Sequence, residues 1–149
     1  MGWGWGLSLI ALTIGIHTAG VVGIAVLVSA IKRRWLEARA LTSKHMVLIV
    51  VGVIGAVGLP LAALHVAEAL IWAVAYFWVG ALASLEEAML YSVNSITTLG
   101  DSGLRLQPEW RIMGALEAAD GMLLFGITTA FTFAIMQVCW SILSQPTET

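Results

Sequence analysis

Charge is scarce in this sequence of 149 residues, because Asp, Glu, Lys and Arg together make up only 11%. Water-soluble domains carry roughly a quarter of such residues. Hydrophobic residues make up 60% of the chain, and the mean hydropathy is +0.94. The composition therefore excludes an ordinary soluble domain, and it leaves little chain for a separate catalytic one. We interpret the chain as a membrane protein that contacts the lipid bilayer.

The sequence also lacks the patterns of several other protein classes. No basic run is long enough to follow a phosphate backbone, and the net charge is −2, so we expect no nucleic-acid partner. Nucleophile–base pairs, phosphate loops and cofactor motifs are missing, so we predict neither an enzyme nor a cofactor. The single Cys139 cannot form an intramolecular disulfide, and we interpret it as a small apolar residue.

Three long apolar segments are present, each long enough to cross a hydrocarbon core of ~30 Å as a helix. The first covers residues 7–31, and a cleaved signal peptide is the alternative for it. The second covers residues 46–82 and would be ~55 Å long as one helix, so we expect a kinked or tilted helix with a break at Pro60. A hairpin at Pro60 is the alternative. The third covers residues 112–143.

Basic residues indicate the orientation of these segments. Five of the seven lie in residues 32–44, and the positive-inside rule predicts that this loop is cytoplasmic. The N-terminus and residues 80–110 would then lie outside, and residues 144–149 would form a cytoplasmic tail of a multi-pass plasma-membrane protein. Tryptophans fall at both interfaces in this orientation, as in aromatic belts: Trp3, Trp5, Trp78 and Trp110 at the outer one, Trp35 and Trp140 at the inner one.

The outer segment begins with a helix-start signal. Ser84 followed three residues later by Glu87 forms a capping box, which predicts a short helix over residues 84–97. The polar, glycine-bearing stretch 98–103 cannot stay helical. Non-helical backbone at membrane depth is tolerated only when it is buried in protein or lines water. We therefore predict an all-α transmembrane fold of three spanning helices plus a re-entrant helix and loop.

The same residues carry a resemblance to a known family. Residues 88–100 resemble the pore helix and filter entrance of bacterial potassium channels, whose filter reads T-V/L-G-Y-G-D. The register continues without gaps, since Trp110 resembles the start of the family's inner helix and Gly121 falls at its hinge glycine. Residues 108–126 also follow small bacterial ion-channel proteins almost word for word. The resemblance covers about residues 68–137.

The resemblance implies a homotetrameric pore. Each chain would supply an outer helix over residues 45–82, a pore helix over 84–97, a filter over 98–103 and an inner helix over 111–143. Residues 1–44 would add an extra transmembrane helix and the basic loop.

The filter departs from the potassium pattern at one place. Asp101-Ser102-Gly103 stands where the family has Tyr-Gly-Asp, and the Cβ of Ser102 makes a left-handed backbone cost ~1 kcal/mol or more. The stretch resembles instead the T-V-G-D-G filter of non-selective sodium/potassium channels. The filter residues that this resemblance implies are Thr97, Thr98, Leu99, Gly100, Asp101, Ser102 and Gly103.

These residues suggest how a cation would pass. Carbonyl oxygens of Thr98 and Leu99 would replace water around Na⁺ or K⁺ with weak discrimination. A ring of Asp101 carboxylates would attract cations and could hold a divalent ion at the outer mouth; a surface salt bridge to Arg105 is the alternative. Two other functions stay open: a non-conducting membrane sensor or subunit, and a potassium-selective channel with an unusual backbone at Ser102.

The third segment carries the residues that the resemblance places below the filter. Gly121 would be the bending point, and Met122, Phe125, Thr129 and Phe133 would line the cavity. Plain packing is the alternative for this apolar stripe. Close helix packing is the alternative for Gly121 and Gly126.

Two groups of buried polar residues are predicted. Glu117 and Asp120 lie at the level of the filter, and we expect them to hydrogen-bond behind it, with partners among Asn94, Ser95 and Thr97; proton-sensitive gating is the alternative.

The second group joins the first two spans. His65 and Glu68 share a helical face, and His17 lies at a comparable depth. We expect a His–Glu hydrogen bond between the spans, with a pH sensor or a zinc site as alternatives.

Overall fold

The computed structural model of the chain describes residues 2–37, 43–100 and 103–143. The predicted filter residues Asp101 and Ser102 lie outside these ranges, as does the predicted tail at residues 144–149. The side chains of the basic segment 32–44 also lie outside the description.

The described part of the chain is helical and contains no strand. Three of its helices are long and apolar enough to cross a membrane. The prediction of an all-helical chain with three such helices is therefore confirmed, and the composition and the helices together indicate a membrane protein. The four helices are α1 (Gly2–Glu37), α2 (Ser43–Trp78), α3 (Leu85–Ile96) and α4 (Arg111–Leu143).

Helix α2 continues through Pro60 without interruption. The second apolar segment is therefore one helix, so both the expected break at Pro60 and the hairpin alternative are wrong. Proline is costly inside a soluble helix, but in membrane helices neighbouring groups compensate for the lost hydrogen bond. The helix ends at Trp78, four residues before the predicted end, because Gly80 adopts φ +72 and closes a Schellman motif.

Helix α3 begins where the capping signal predicts. Ser84 is its N-cap, with an extended backbone, and its hydroxyl accepts a hydrogen bond of 3.1 Å from the Glu87 amide. Twelve residues are few for an isolated helix in water. Helix α3 is supported by packing against both α2 and α4, while α1 packs against α2 and α4.

Three apolar clusters among the described residues hold the helices together. One lies around Trp72, Tyr76 and Met113, all fully buried, near the level of α3. A second lies nearer the start of α2 and the end of α4 and contains Cys139, a free cysteine packed among apolar side chains. The third joins Ala69, Ile96 and Leu124. The interpretation of Cys139 as a small apolar residue agrees with this environment.

Gly121 allows α4 to approach the end of α3. A Cβ atom at this position would overlap the carbonyl group of Ile96. Gly126 has no atom within 4 Å of the corresponding position. Close helix packing, one of the two interpretations of these glycines, therefore applies to Gly121 within the chain and not to Gly126.

This contrast predicts different effects of one substitution at two sites of α4. Gly121→Ala should lower the free energy of unfolding by ~1–3 kcal/mol, as expected for overpacking against a backbone. Gly126→Ala is the matched control, because both substitutions gain the same ~1 kcal/mol of helix propensity. Thermal unfolding of the purified protein in detergent, followed by circular dichroism, measures the difference. Equal midpoints for the two variants would contradict the packing.

Candidate functional site

The loop after α3 begins with a strained residue. Thr98 has φ +58 and is the one non-glycine residue with positive φ in the described ranges. Its amide donates to the Ser95 carbonyl and the Leu99 amide to the Asn94 carbonyl, both at 2.9 Å. These two bonds form a Schellman motif, the same motif that ends α2.

The two helix ends differ in the residue at the left-handed position. Helix α2 uses Gly80 there, whereas α3 uses Thr98, a β-branched residue for which this conformation costs ~1–2 kcal/mol. Such outliers persist where the surroundings over-determine them, and they occur preferentially at functional sites. The left-handed backbone of Thr98 is therefore enough to make the loop after α3 a candidate functional site.

The loop lies on the exposed side of the single chain. Thr97, Thr98 and Gly100 are exposed, and Leu99 is 73% exposed. The exposed side continues along α4 from beside Gly121, where α3 ends. The α4 residues that the sequence placed below the filter share this exposure: Met122, Phe125, Thr129 and Phe133.

Glu117 fixes α3 from the opposite, buried side. Its carboxylate accepts a hydrogen bond of 2.8 Å from the Tyr76 hydroxyl and also contacts the Ser92 hydroxyl. Ser92 lies 2.7 Å from the Ala69 carbonyl as well. One fully buried carboxylate therefore joins α2, α3 and α4.

Asp120 has the corresponding role at the next turn of α4. Its Oδ2 atom accepts hydrogen bonds from Thr13 Oγ1 at 2.6 Å and from Trp72 Nε1 at 3.0 Å. These bonds join α1, α2 and α4. Asp120 is fully buried, as are both of its partners.

The predicted partners of these carboxylates were partly wrong. Asn94 and Thr97 bond instead to carbonyls of their own helix, those of Leu90 and Val93. The reason is helical periodicity, because Ser92 and Ser95 face α4 and the other two positions do not. Ser95 donates a hydrogen bond of 3.0 Å to the Gly114 carbonyl, and it is close enough to Glu117 to influence its carboxyl group. Sequence reasoning missed four partners, Thr13, Trp72, Tyr76 and Ser92.

Tyr91 borders the same polar interior from α3. Its ring meets the Tyr76 ring edge-on, and its hydroxyl lies against Gly114. Burial, and then the negative charge of Glu117, raise the pKa of the Tyr91 hydroxyl above its usual value. The phenol therefore keeps its proton at physiological pH.

The predicted polar cluster between the first two spans converges. His17 Nδ1 lies 2.8 Å from Glu68 Oε1, so the expected His–Glu hydrogen bond between α1 and α2 is present. His65 Nδ1 lies 3.2 Å from Glu68 Oε2. Thr128 of α4, which the sequence did not single out, contacts both histidines through its hydroxyl. Among the described residues, these three His and Glu side chains form a group whose spacing could hold a metal ion.

Comparison of the chain with protein-family models, with curated proteins and with solved structures finds no match. The candidate site therefore depends on its own geometry and on the sequence resemblance described above.

The strain at Thr98 yields a test that compares two adjacent threonines. Thr98→Gly should leave the free energy of unfolding unchanged or raise it by up to ~1 kcal/mol, because glycine accepts the left-handed backbone. Thr97→Gly should lower it by about 0.5–1 kcal/mol or more, because Thr97 is helical and its hydroxyl bonds to Val93. Thermal unfolding in detergent measures both variants. The reverse order would show that Thr98 is not strained.

Proposed function

We propose that the protein is a cation channel in which four copies surround a pore formed by the loop after α3 and by α4. The observation that carries the proposal is the exposed, left-handed Thr98 at the end of a helix whose opposite side is fixed to buried carboxylates. The proposed pore discriminates weakly between Na⁺ and K⁺.

The chemistry at the end of α3 suits a cation. The C-terminus of a helix carries partial negative charge, and Thr98 and Leu99 in the loop after it are exposed. Backbone carbonyls replace the hydration shell of a monovalent cation in selectivity filters. One chain supplies a single loop, so a complete ring of carbonyls requires several copies related by symmetry. The number four comes from the resemblance to potassium channels.

An oligomer also accounts for the exposed side of α4. Met122 is 62% exposed and Phe133 is 61% exposed. Backbone outside regular structure is tolerated at membrane depth only where it is covered by protein or lines water. Neighbouring copies and an aqueous pore would provide both conditions. In the proposed orientation the N-terminus lies outside the plasma membrane and the C-terminus in the cytoplasm.

The buried carboxylates would set the width of the filter. The sequence lacks the tyrosine that packs around the filter in potassium channels, since Asp101 stands there. Glu117 fixes α3 through Ser92 instead, and α3 fixes the loop through its Schellman motif. Such a support is costly to break, because a buried polar group left without its hydrogen-bond partner is unfavourable.

Currents in planar lipid bilayers test this function. With K⁺ on one side and Na⁺ on the other, the purified protein should conduct with a reversal potential close to zero. Asp101→Asn should lower the conductance by up to ~10-fold at low ionic strength, because it removes the charge that concentrates cations. The effect should shrink at high salt.

Glu109→Gln is the matched control, because Glu109 is exposed and undergoes the same change of charge outside the filter. It should leave the conductance close to that of the wild type. A reversal potential near the K⁺ equilibrium value would contradict weak selectivity. Absence of current from reconstituted protein would contradict conduction and favour a sensor or subunit.

A further inference from the structure

The group formed by His17, His65 and Glu68 lies apart from the loop and is not used by the proposed pore. One ligand-type atom from each residue lies within 4.8 Å of the other two. Imidazole nitrogen and carboxylate oxygen bind Zn²⁺ at about 2.0–2.2 Å, which places the atoms of a tetrahedral site ~3.3 Å apart. His17 Nδ1 lies 2.8 Å from Glu68 Oε1 and His65 Nδ1 lies 3.2 Å from Glu68 Oε2, so each histidine is near that spacing from one oxygen of the carboxylate. We propose that these three residues bind a divalent transition-metal ion, with Zn²⁺ the best match to the ligand set.

Two atoms of this group lack hydrogen bonds within the described structure. His65 Nδ1 and Glu68 Oε2 are both buried and have no hydrogen-bond partner, although they lie 3.2 Å apart. A buried carboxylate oxygen left without a partner is unfavourable and requires an explanation. A metal ion between the two atoms would use the lone pair of each.

Thr128 can accept hydrogen bonds from the histidine tautomer that a metal requires. Its Oγ1 lies 3.1 Å from His17 Nε2 and 3.0 Å from His65 Nε2. A histidine that binds metal through Nδ1 carries its proton on Nε2 and donates it to a nearby oxygen. A hydroxyl oxygen has two lone pairs and can accept from both rings. Both Nδ1 atoms are then free to bind the ion.

Without a metal ion, hydrogen bonds between two neutral rings, Glu68 and Thr128 leave one of the same contacts unsatisfied. If both neutral rings donated from Nδ1 to Glu68, Thr128 would face two unprotonated Nε2 atoms with one hydroxyl proton. One ring nitrogen would then lack a partner. All the contacts can be hydrogen bonds only when the group carries one additional proton, either on a ring or on the Glu68 carboxyl group.

The burial of Glu68 also favours a cation beside it. Glu68 is fully buried, and the ion pairs found within the described ranges join it to His17 and His65, with no lysine or arginine in them. A buried carboxylate in a membrane requires compensation, which a bound divalent ion supplies.

An ion could enter from the exposed side of α4. The His65 side chain is 12% exposed, and its ring stacks on that of Phe125 with centroids 4.2 Å apart. Phe125 belongs to the exposed side of α4. Three protein ligands leave the fourth position of a tetrahedral ion open to water.

Titration with Co²⁺, which reports tetrahedral coordination through its visible absorption, tests the site in the purified full-length protein after chelation. One Co²⁺ should bind per chain, and Zn²⁺ should displace it. Glu68→Gln and His65→Ala should abolish the tetrahedral band. Thr128→Val should weaken binding by ~10–100-fold, as expected for a residue that orients the ligands.

His45→Gln is the matched control, because it removes the remaining histidine at a position ~30 Å away along α2. It should leave the affinity unchanged. Circular dichroism of each chelated variant checks the fold, and Thr128→Val carries the test if a ligand variant does not fold.

Absence of the tetrahedral band in the wild type would overturn the proposal and favour a hydrogen-bond network that holds an additional proton. If His45→Gln lost Co²⁺ binding as fully as the ligand variants, the proposal would also be overturned, because the ion would then bind elsewhere. Because the assay involves no current, its outcome is independent of conduction.

Discussion

The structure depends on the need of buried carboxylates for partners in an apolar interior. Glu68, Glu117 and Asp120 are all fully buried, and each takes partners from a different helix or pair of helices. In lipid, apolar side chains do not drive helices together as they do in water, so interhelical hydrogen bonds determine which faces meet. The carboxylates therefore determine which faces of α1 and α2 pack against α4. They also determine which face of α3 packs against the apolar surfaces of its neighbours.

This constraint reaches the exposed loop through α3. The short helix is held by Ser92 on its buried side and ends in the strained Thr98 on its exposed side. Gly121 brings α4 against the same end. The loop backbone is thus positioned by groups that lie outside the loop. In the proposed channel, different groups support the loop and surround the pore. The polar interior holds the loop, and the exposed side of α4 meets neighbouring copies and water.

Much of the fold could be predicted from the sequence. The lengths of the apolar segments predict the spanning helices, Ser84 predicts the start of α3, and the comparable depth of His17 and Glu68 predicts their pairing. The partners of Glu117 and Asp120 could not, since helices that are apolar on all sides give no indication of their rotation. The missed residues nevertheless follow a spacing of four: Trp72 and Tyr76 continue the face of Glu68, and Thr13 lies four residues before His17. The early end of α2 had a signal too, in Gly80 just beyond the last helical residue. The left-handed Thr98 had none, because threonine normally avoids that backbone.

The proposed channel requires several copies of this chain to assemble around the loop after α3. Native mass spectrometry of the protein released from lipid nanodiscs measures the number of chains directly. We expect one dominant species with the mass of four 15.9 kDa chains. A protein that remains monomeric across the concentrations used for bilayer reconstitution would contradict it, because one loop cannot surround an ion.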